Sequence, residues 1–122
     1  MQLTIDAQEV QGVRVLSLSG KIVAGPEVDT VRSFIKEFLG NHWNHIVLDL
    51  ANVTRIDSTG IGMLVESVIL TVKEGGQLKL TRLPRLIHNI LSTHRLLQAF
   101  DIYPTEADAL ASFTKPAPTE GG

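Results

Sequence analysis

The feature that most restricts the fold is a short apolar run followed closely by a long helical pattern. Residues 45–50 form an apolar run of strand length, as is typical of a central strand covered on both faces. An apolar stripe at spacings of three and four residues then predicts a helix from about Ser58 to Lys73. The stripe consists of Ile61, Leu64, Val65, Val68 and Val72.

The rest of the chain continues this alternation of strands and helices. Residues 3–9 and 13–18 have strand patterns and flank a turn at Gln11-Gly12. A helix begins at Gly25-Pro26-Glu27, because proline is well tolerated in a first turn, and ends near residue 40. The remaining predicted elements are a strand at 77–81, a helix opened by Pro84 with Leu86, Ile87, Ile90 and Leu91, a strand at 100–103 and a last helix capped at Thr105.

This alternation predicts an α/β fold in one domain. A chain of 122 residues is long enough for one core and too short for two ordinary domains. We expect a mixed sheet of four or five strands, with about four helices packed mainly on one face. The domain should span residues 1–114, and the Pro- and Gly-rich residues 115–122 are predicted to be a disordered tail.

Composition excludes several classes of function. The net charge of −2 leaves no basic surplus for a nucleic-acid backbone. The absence of cysteine excludes disulfides and thiolate chemistry, and the four histidines lack the spacing of a metal site, so no metal or cofactor is expected. The N-terminus lacks a signal-peptide pattern, and no apolar stretch is long enough to span a bilayer, so we predict a cytoplasmic protein without membrane insertion.

The segment Asp57-Ser58-Thr59-Gly60-Ile61-Gly62 joins the central strand to the long helix. Either Asp57 or Ser58 is expected to cap the helix, since both side chains accept hydrogen bonds from free backbone N–H groups. Two glycines in one turn together lower helix stability by about 2 kcal/mol. They pack tightly against a neighbouring strand, leave the backbone around Ser58 open to a partner, or do both.

The sequence gives only weak support to an enzymatic function. A hydrolase nucleophile elbow needs glycine two residues before and two after the serine, but Ile56 occupies the first of these positions around Ser58. Residues 33–36 match the S-x-x-K pattern of penicillin-recognising enzymes but lie within a predicted helix, and the companion motifs are missing. We therefore predict that the protein is not an enzyme, with a small serine hydrolase as the less favoured alternative.

Residues 46–50 followed by the 57–62 segment resemble the signature of STAS domains, specifically that of the anti-sigma factor antagonists. The resemblance covers about residues 3–113 and implies a single STAS-like domain. It also includes Leu18-Ser19-Gly20 before the first helix, the Gly75-Gly76 turn and the closing strand at 100–103.

The resemblance implies a partner switch. In that family, a partner that is both an anti-sigma factor and a serine kinase phosphorylates the hydroxyl directly after the aspartate, which here is Ser58, with Thr59 as the competing acceptor. The unphosphorylated protein would bind the kinase and free a sigma factor, and a PP2C-type phosphatase would reset it. Another regulatory STAS role, in a stress-sensing complex or beside a transporter, is the alternative.

The resemblance also implies a partner-binding surface at the start of the long helix and in the loop after Gly20. In this loop the chain has Lys21-Ile22-Val23-Ala24, where many antagonists have an acidic residue and then aspartate. We expect a monomer or weak dimer. The predicted partner-binding residues are Lys21, Ile22, Val23, Gly25, Glu27, Asp57, Ser58, Thr59, Gly60, Gly62 and Met63.

Overall fold

A computed structural model describes residues 3–114 as one five-stranded sheet with four α-helices. The strands follow the order β1-β2-β3-β4-β5, with β1 antiparallel to β2 and the other neighbours parallel. The elements are β1 (Leu3–Val10), β2 (Val13–Ile22), α1 (Pro26–Gly40), β3 (His45–Ile56), α2 (Ser58–Lys73), β4 (Gln77–Thr81), α3 (Arg85–Thr93), a short 3-10 helix (Leu97–Ala99), β5 (Asp101–Tyr103) and α4 (Glu106–Thr114).

The topology explains why the helices lie mainly on one face, as predicted. Strands β2 to β5 are added in one direction across the sheet, and each parallel crossover is expected to be right-handed. Successive right-handed crossovers in one direction place α1, α2 and α3 on the same face, where their apolar side chains join one core. Helix α4 follows the last strand and packs on the opposite face, where Ala109 and Leu110 contact Val13, Val15 and Val47.

The first two strands form a tight hairpin at the predicted turn. Gln11 and Gly12 both have positive φ, 55° and 82°, as a two-residue type I′ turn requires. Strand β2 then runs to Ile22 and β3 to Ile56, each several residues beyond the predicted apolar run. These extensions bring the ends of the two strands to the start of α2.

Helix α2 has the predicted bounds, but its buried side is rotated relative to the predicted stripe. Leu64 is fully buried, as predicted, whereas Ile61, Val65 and Val68 are only partly buried. Val72 belongs to the predicted apolar stripe but is 59% exposed, so the stripe does not coincide with the buried side of the helix. The buried side consists of Gly60, Met63, Leu64, Ser67 and Thr71.

Small and polar residues account for this rotation. Ser67 and Thr71 are buried, and each donates its hydroxyl to a carbonyl one turn earlier, those of Met63 and Ser67. A hydroxyl satisfied within its own helix can face the core at little penalty, so apolarity alone did not identify the buried side. Similarly, Leu86 of α3 belongs to the predicted apolar set but is 52% exposed, while Ile87 and Leu91 are buried.

Candidate functional site

The candidate site lies where two neighbouring parallel strands end. Ile22 at the end of β2 pairs in register with Ile56 at the end of β3. The connection from β2 to α1 and the start of α2 therefore leave the sheet side by side. The backbone N–H of Asp57 donates to the carbonyl oxygen of Ile22 over 3.3 Å, which continues the strand contact by one more residue.

The carboxylate of Asp57 ties these two connections together. Its Oδ1 accepts the backbone N–H of Gly60 at 2.9 Å, and this bond makes Asp57 the N-cap of α2. Its Oδ2 accepts the backbone N–H of Ala24 at 2.9 Å, 33 residues earlier in the chain. These two bonds, that of Ala24 first, lower the pKa of Asp57 below its usual value because they favour the charged carboxylate.

Glycine occupies positions 60 and 62 of the segment for different structural reasons. A Cβ at Gly60 would lie 2.1 Å from the carbonyl oxygen of Ile22 and 2.8 Å from Cγ1 of Ile56, so no larger residue fits without moving the backbone of β2. A Cβ at Gly62 would meet nothing within 4 Å. Gly60 therefore provides close packing between α2 and β2, whereas Gly62 leaves an open, exposed position on the helix.

The predicted partner-binding residues separate into accessible and buried groups. Ile22, Gly60 and Met63 are buried, and Met63 has no exposed surface. The remaining residues cluster around the start of α2 and are accessible at least in part. Exposed are Lys21, Gly25, Ser58 and Gly62, and half-buried are Val23, Glu27, Asp57 and Thr59.

Ser58 occupies the first residue of α2, with its side chain exposed. The first backbone N–H groups of a helix lack partners within the helix and carry partial positive charge, so this end can stabilise an added anion. The first turn of α2 contains no acidic residue, and the carboxylate of the N-cap Asp57 already accepts one N–H group at this end, that of Gly60. A phosphate on Ser58 would thus lie at a favourable helix end, beside the carboxylate of Asp57.

The environment of Ser58 gives little support to hydrolysis. A serine nucleophile needs a base within hydrogen-bond distance, and within residues 3–114 Ser58 makes no hydrogen bond to a histidine. His42 and His45 lie before and at the start of β3, at the opposite end of this 12-residue strand. In the same described range, no three His, Asp or Glu side chains converge as a metal site would require.

The contact between Asp57 and Ala24 was not anticipated from the sequence. The sequence predicts Asp57 as one of two possible caps of α2 and as a partner-binding residue, and neither role includes a hydrogen bond to the loop after Gly20. The only sequence signal for the longer contact is that Gly20 and Asp57 each follow a strand pattern. The sequence does not show that β2 and β3 are neighbours in the sheet. The two strand patterns therefore do not predict that the residues after them lie in contact.

Comparison with known proteins agrees with this architecture. The STAS domain family model matches residues 4–109. A protein of Paenibacillus polymyxa named anti-sigma F factor antagonist is 30% identical over 111 residues, which cover 90% of this chain and 94% of that protein. The chain therefore belongs to the STAS domain family, and the predicted resemblance is confirmed.

Solved structures share the fold at lower identity. An anti-sigma factor antagonist from Mycobacterium paratuberculosis superposes with a TM-score of 0.81 at 23% identity, with 93% of this chain and 96% of that chain covered. SpoIIAA, a Bacillus cell fate determinant, superposes in its unphosphorylated form with a TM-score of 0.78 at 16% identity, covering 91% of this chain and 96% of that chain. The predicted mixed α/β sheet is confirmed. No helix within residues 3–114 is long and apolar enough to cross a bilayer.

Proposed function

We propose that this protein is a cytoplasmic anti-sigma factor antagonist that binds an anti-sigma factor kinase and is switched off when that kinase phosphorylates Ser58. The observation that carries the proposal is the exposed Ser58 at the first residue of α2, one turn from the open position at Gly62. The relative from Paenibacillus polymyxa, named as an antagonist of anti-sigma F factor, supports the same role. A PP2C-type phosphatase would restore the unmodified form.

Electrostatics accounts for the switch without a large movement of the backbone. A phosphate adds about −1.5 to −2 charge at pH 7, on a chain whose net charge is already −2. The phosphate does not destabilise the fold at the start of the helix as long as it stays hydrated. A partner that covers Ser58 would have to bury that charge next to Asp57, and burying an unpaired ion is unfavourable by several kcal/mol. Because each 1.4 kcal/mol changes affinity about tenfold, we expect a loss of about 100-fold or more.

The assignment of Ser58 is tested by mapping the phosphate. The protein is incubated with ATP and each purified anti-sigma factor kinase of the source organism, and the modified residue is located by mass spectrometry. We expect phosphate on Ser58, none on a Ser58→Ala variant, and retained kinase binding by that variant. Phosphate on Thr59, or no phosphate on a protein that still binds the kinase, would contradict the assignment.

The position of the partner surface is tested separately with Gly62→Arg. A Cβ here meets nothing within 4 Å and the position is exposed, so the fold should persist, but the longer arginine side chain would protrude into any surface that covers the start of α2. We expect binding to the kinase to be abolished in a titration monitored by calorimetry, with a melting temperature no lower than that of the unmodified protein. Unchanged affinity would place the interface elsewhere on the protein.

A further inference from the structure

The exposed side of α2 continues well beyond the start of the helix as an uncharged row. Residues at spacings of four, three, four and three lie on one side of an α-helix, because their mean spacing is close to the 3.6 residues of one helical turn. The residues at these spacings from Ser58 onwards are all uncharged. The row consists of Ser58, Gly62, Val65, Ile69 and Val72.

Four residues of this row, Ser58, Gly62, Ile69 and Val72, are exposed, whereas Val65 is half-buried and packs against the core. Ile69 is 53% exposed and Val72 is 59% exposed, and together with Leu86 they are the large hydrophobic side chains described as exposed within residues 3–114. The charged residue Glu66 lies beside the row and is tied to α1, because its Oε1 accepts from Nε of Arg32 at 2.8 Å. The outer side of α2 is therefore unusually apolar for an exposed helix surface.

We infer that the anti-sigma partner lies along the whole length of α2, and that Ile69 and Val72 are apolar contact residues for an elongated apolar ridge on its surface. This inference rests on the proposed function. The distance from Ser58 to Val72 along the axis is roughly 21 Å at about 1.5 Å per residue, so a partner covering Ser58 needs only to continue in one direction. Ile69 and Val72 are three residues apart and so adjoin on the helix surface, and adjoining exposed apolar side chains of this kind are typical of protein–protein contacts.

A second copy of this chain is the competing occupant of the row. Two copies packed along it would both cover Ser58, and self-association would then hinder access of a kinase to that residue. The row also includes Ser58 and Gly62. The partner must contact the surface around these two residues if phosphorylation is to block binding. Continuity therefore favours the anti-sigma partner over a second copy.

The test introduces arginine at two positions of the row and at one matched position outside it. The variants Ile69→Arg and Val72→Arg place a charge on the row, and Ser33→Arg places the same side chain on an exposed position of α1. Each is titrated with the purified anti-sigma factor kinase that binds the unmodified protein, and thermal unfolding confirms that the fold is intact. We expect the Kd to rise at least about tenfold for the two row variants and to stay within about twofold for Ser33→Arg.

The outcomes separate this inference from the proposed function. If Gly62→Arg abolishes binding but the row variants bind like the unmodified protein, the extended contact is wrong and the proposed function stands. If no anti-sigma factor kinase binds, the proposed function is wrong and this inference with it. Sedimentation velocity shows whether the unmodified protein dimerises. A dimer that Ile69→Arg dissociates, with partner affinity unchanged, would assign the row to self-association and overturn the inference.

Discussion

The inner and outer sides of α2 differ in what a substitution should do. On the inner side, Gly60, Met63 and Leu64 are buried against the sheet, and the helix approaches β2 closely enough to exclude a Cβ at Gly60. On the outer side, Gly62 and Ile69 are exposed, and a Cβ at Gly62 would meet nothing within 4 Å. Under the proposed function, the inner side of α2 serves folding and the outer side serves recognition, so stability and binding should respond to different residues.

The largest expected effect is on stability, from truncation of the inner side. Met63→Ala and Leu64→Ala each remove a fully buried side chain and leave a cavity, and each should lower the free energy of unfolding by about 2–5 kcal/mol. Val72→Ala removes a side chain that is 59% exposed and should change it by no more than about 0.5 kcal/mol. Urea denaturation measures all three. A comparable loss for Val72→Ala would remove the distinction between the two sides.

The two glycines provide a closer comparison, because the same substitution should have opposite signs. Gly60→Ala places a Cβ against the backbone oxygen of Ile22, and overpacking of this kind should destabilise the fold by about 1–3 kcal/mol. Gly62→Ala adds a methyl group in open space and removes a flexible residue from a helix, so it should stabilise the fold by about 0.5–1 kcal/mol. Equal changes in denaturation midpoint would show that the close approach at Gly60 relaxes freely.

Much of the fold was predictable because strong local signals agree with one another. The bounds of α2, the Gln11-Gly12 turn and the strand at Gln77–Thr81 follow from periodicity and turn chemistry, which depend on neighbouring residues alone. The rotation of α2 was not predictable in the same way. Ser67 and Thr71 satisfy their hydroxyls within the helix and face the core, while Val72 faces solvent, and a pattern of apolarity cannot show this.

The candidate site was predictable in part for a related reason. The 57–62 segment carries its own chemistry, and its position at the start of a helix follows from the strand and helix patterns around it. Its contact with Ala24 depends on which strands are neighbours, and that is a property of the whole sheet. The burial of Met63, likewise, depends on how closely α2 approaches β2 at Gly60.

The smallest expected effect concerns Asp57, which joins the outer surface to the fold. In Asp57→Asn the remaining carbonyl oxygen can still accept the N–H of Gly60, but the amide nitrogen cannot accept that of Ala24. The variant should therefore keep α2 capped while it releases the 21–25 loop. Hydrogen exchange at the Ala24 amide should be faster than in the unmodified protein. Unchanged protection of that amide would contradict the role of the carboxylate in holding the loop.

The stability difference between the unmodified protein and Asp57→Asn should depend on pH in a predictable direction. The pKa of Asp57 is lowered in the folded protein, chiefly by the bond from Ala24, so its ionised form stabilises the fold at pH values above its unfolded pKa, about 3.9. That contribution is lost as the pH falls through the lower folded pKa. The difference in melting temperature between the unmodified protein and Asp57→Asn should be constant above about pH 5 and shrink below about pH 4. Asp101→Asn, at an exposed position on β5, controls for the loss of one negative charge. A difference that stays constant down to pH 3 would show that the charge on Asp57 does not help to hold the loop against α2.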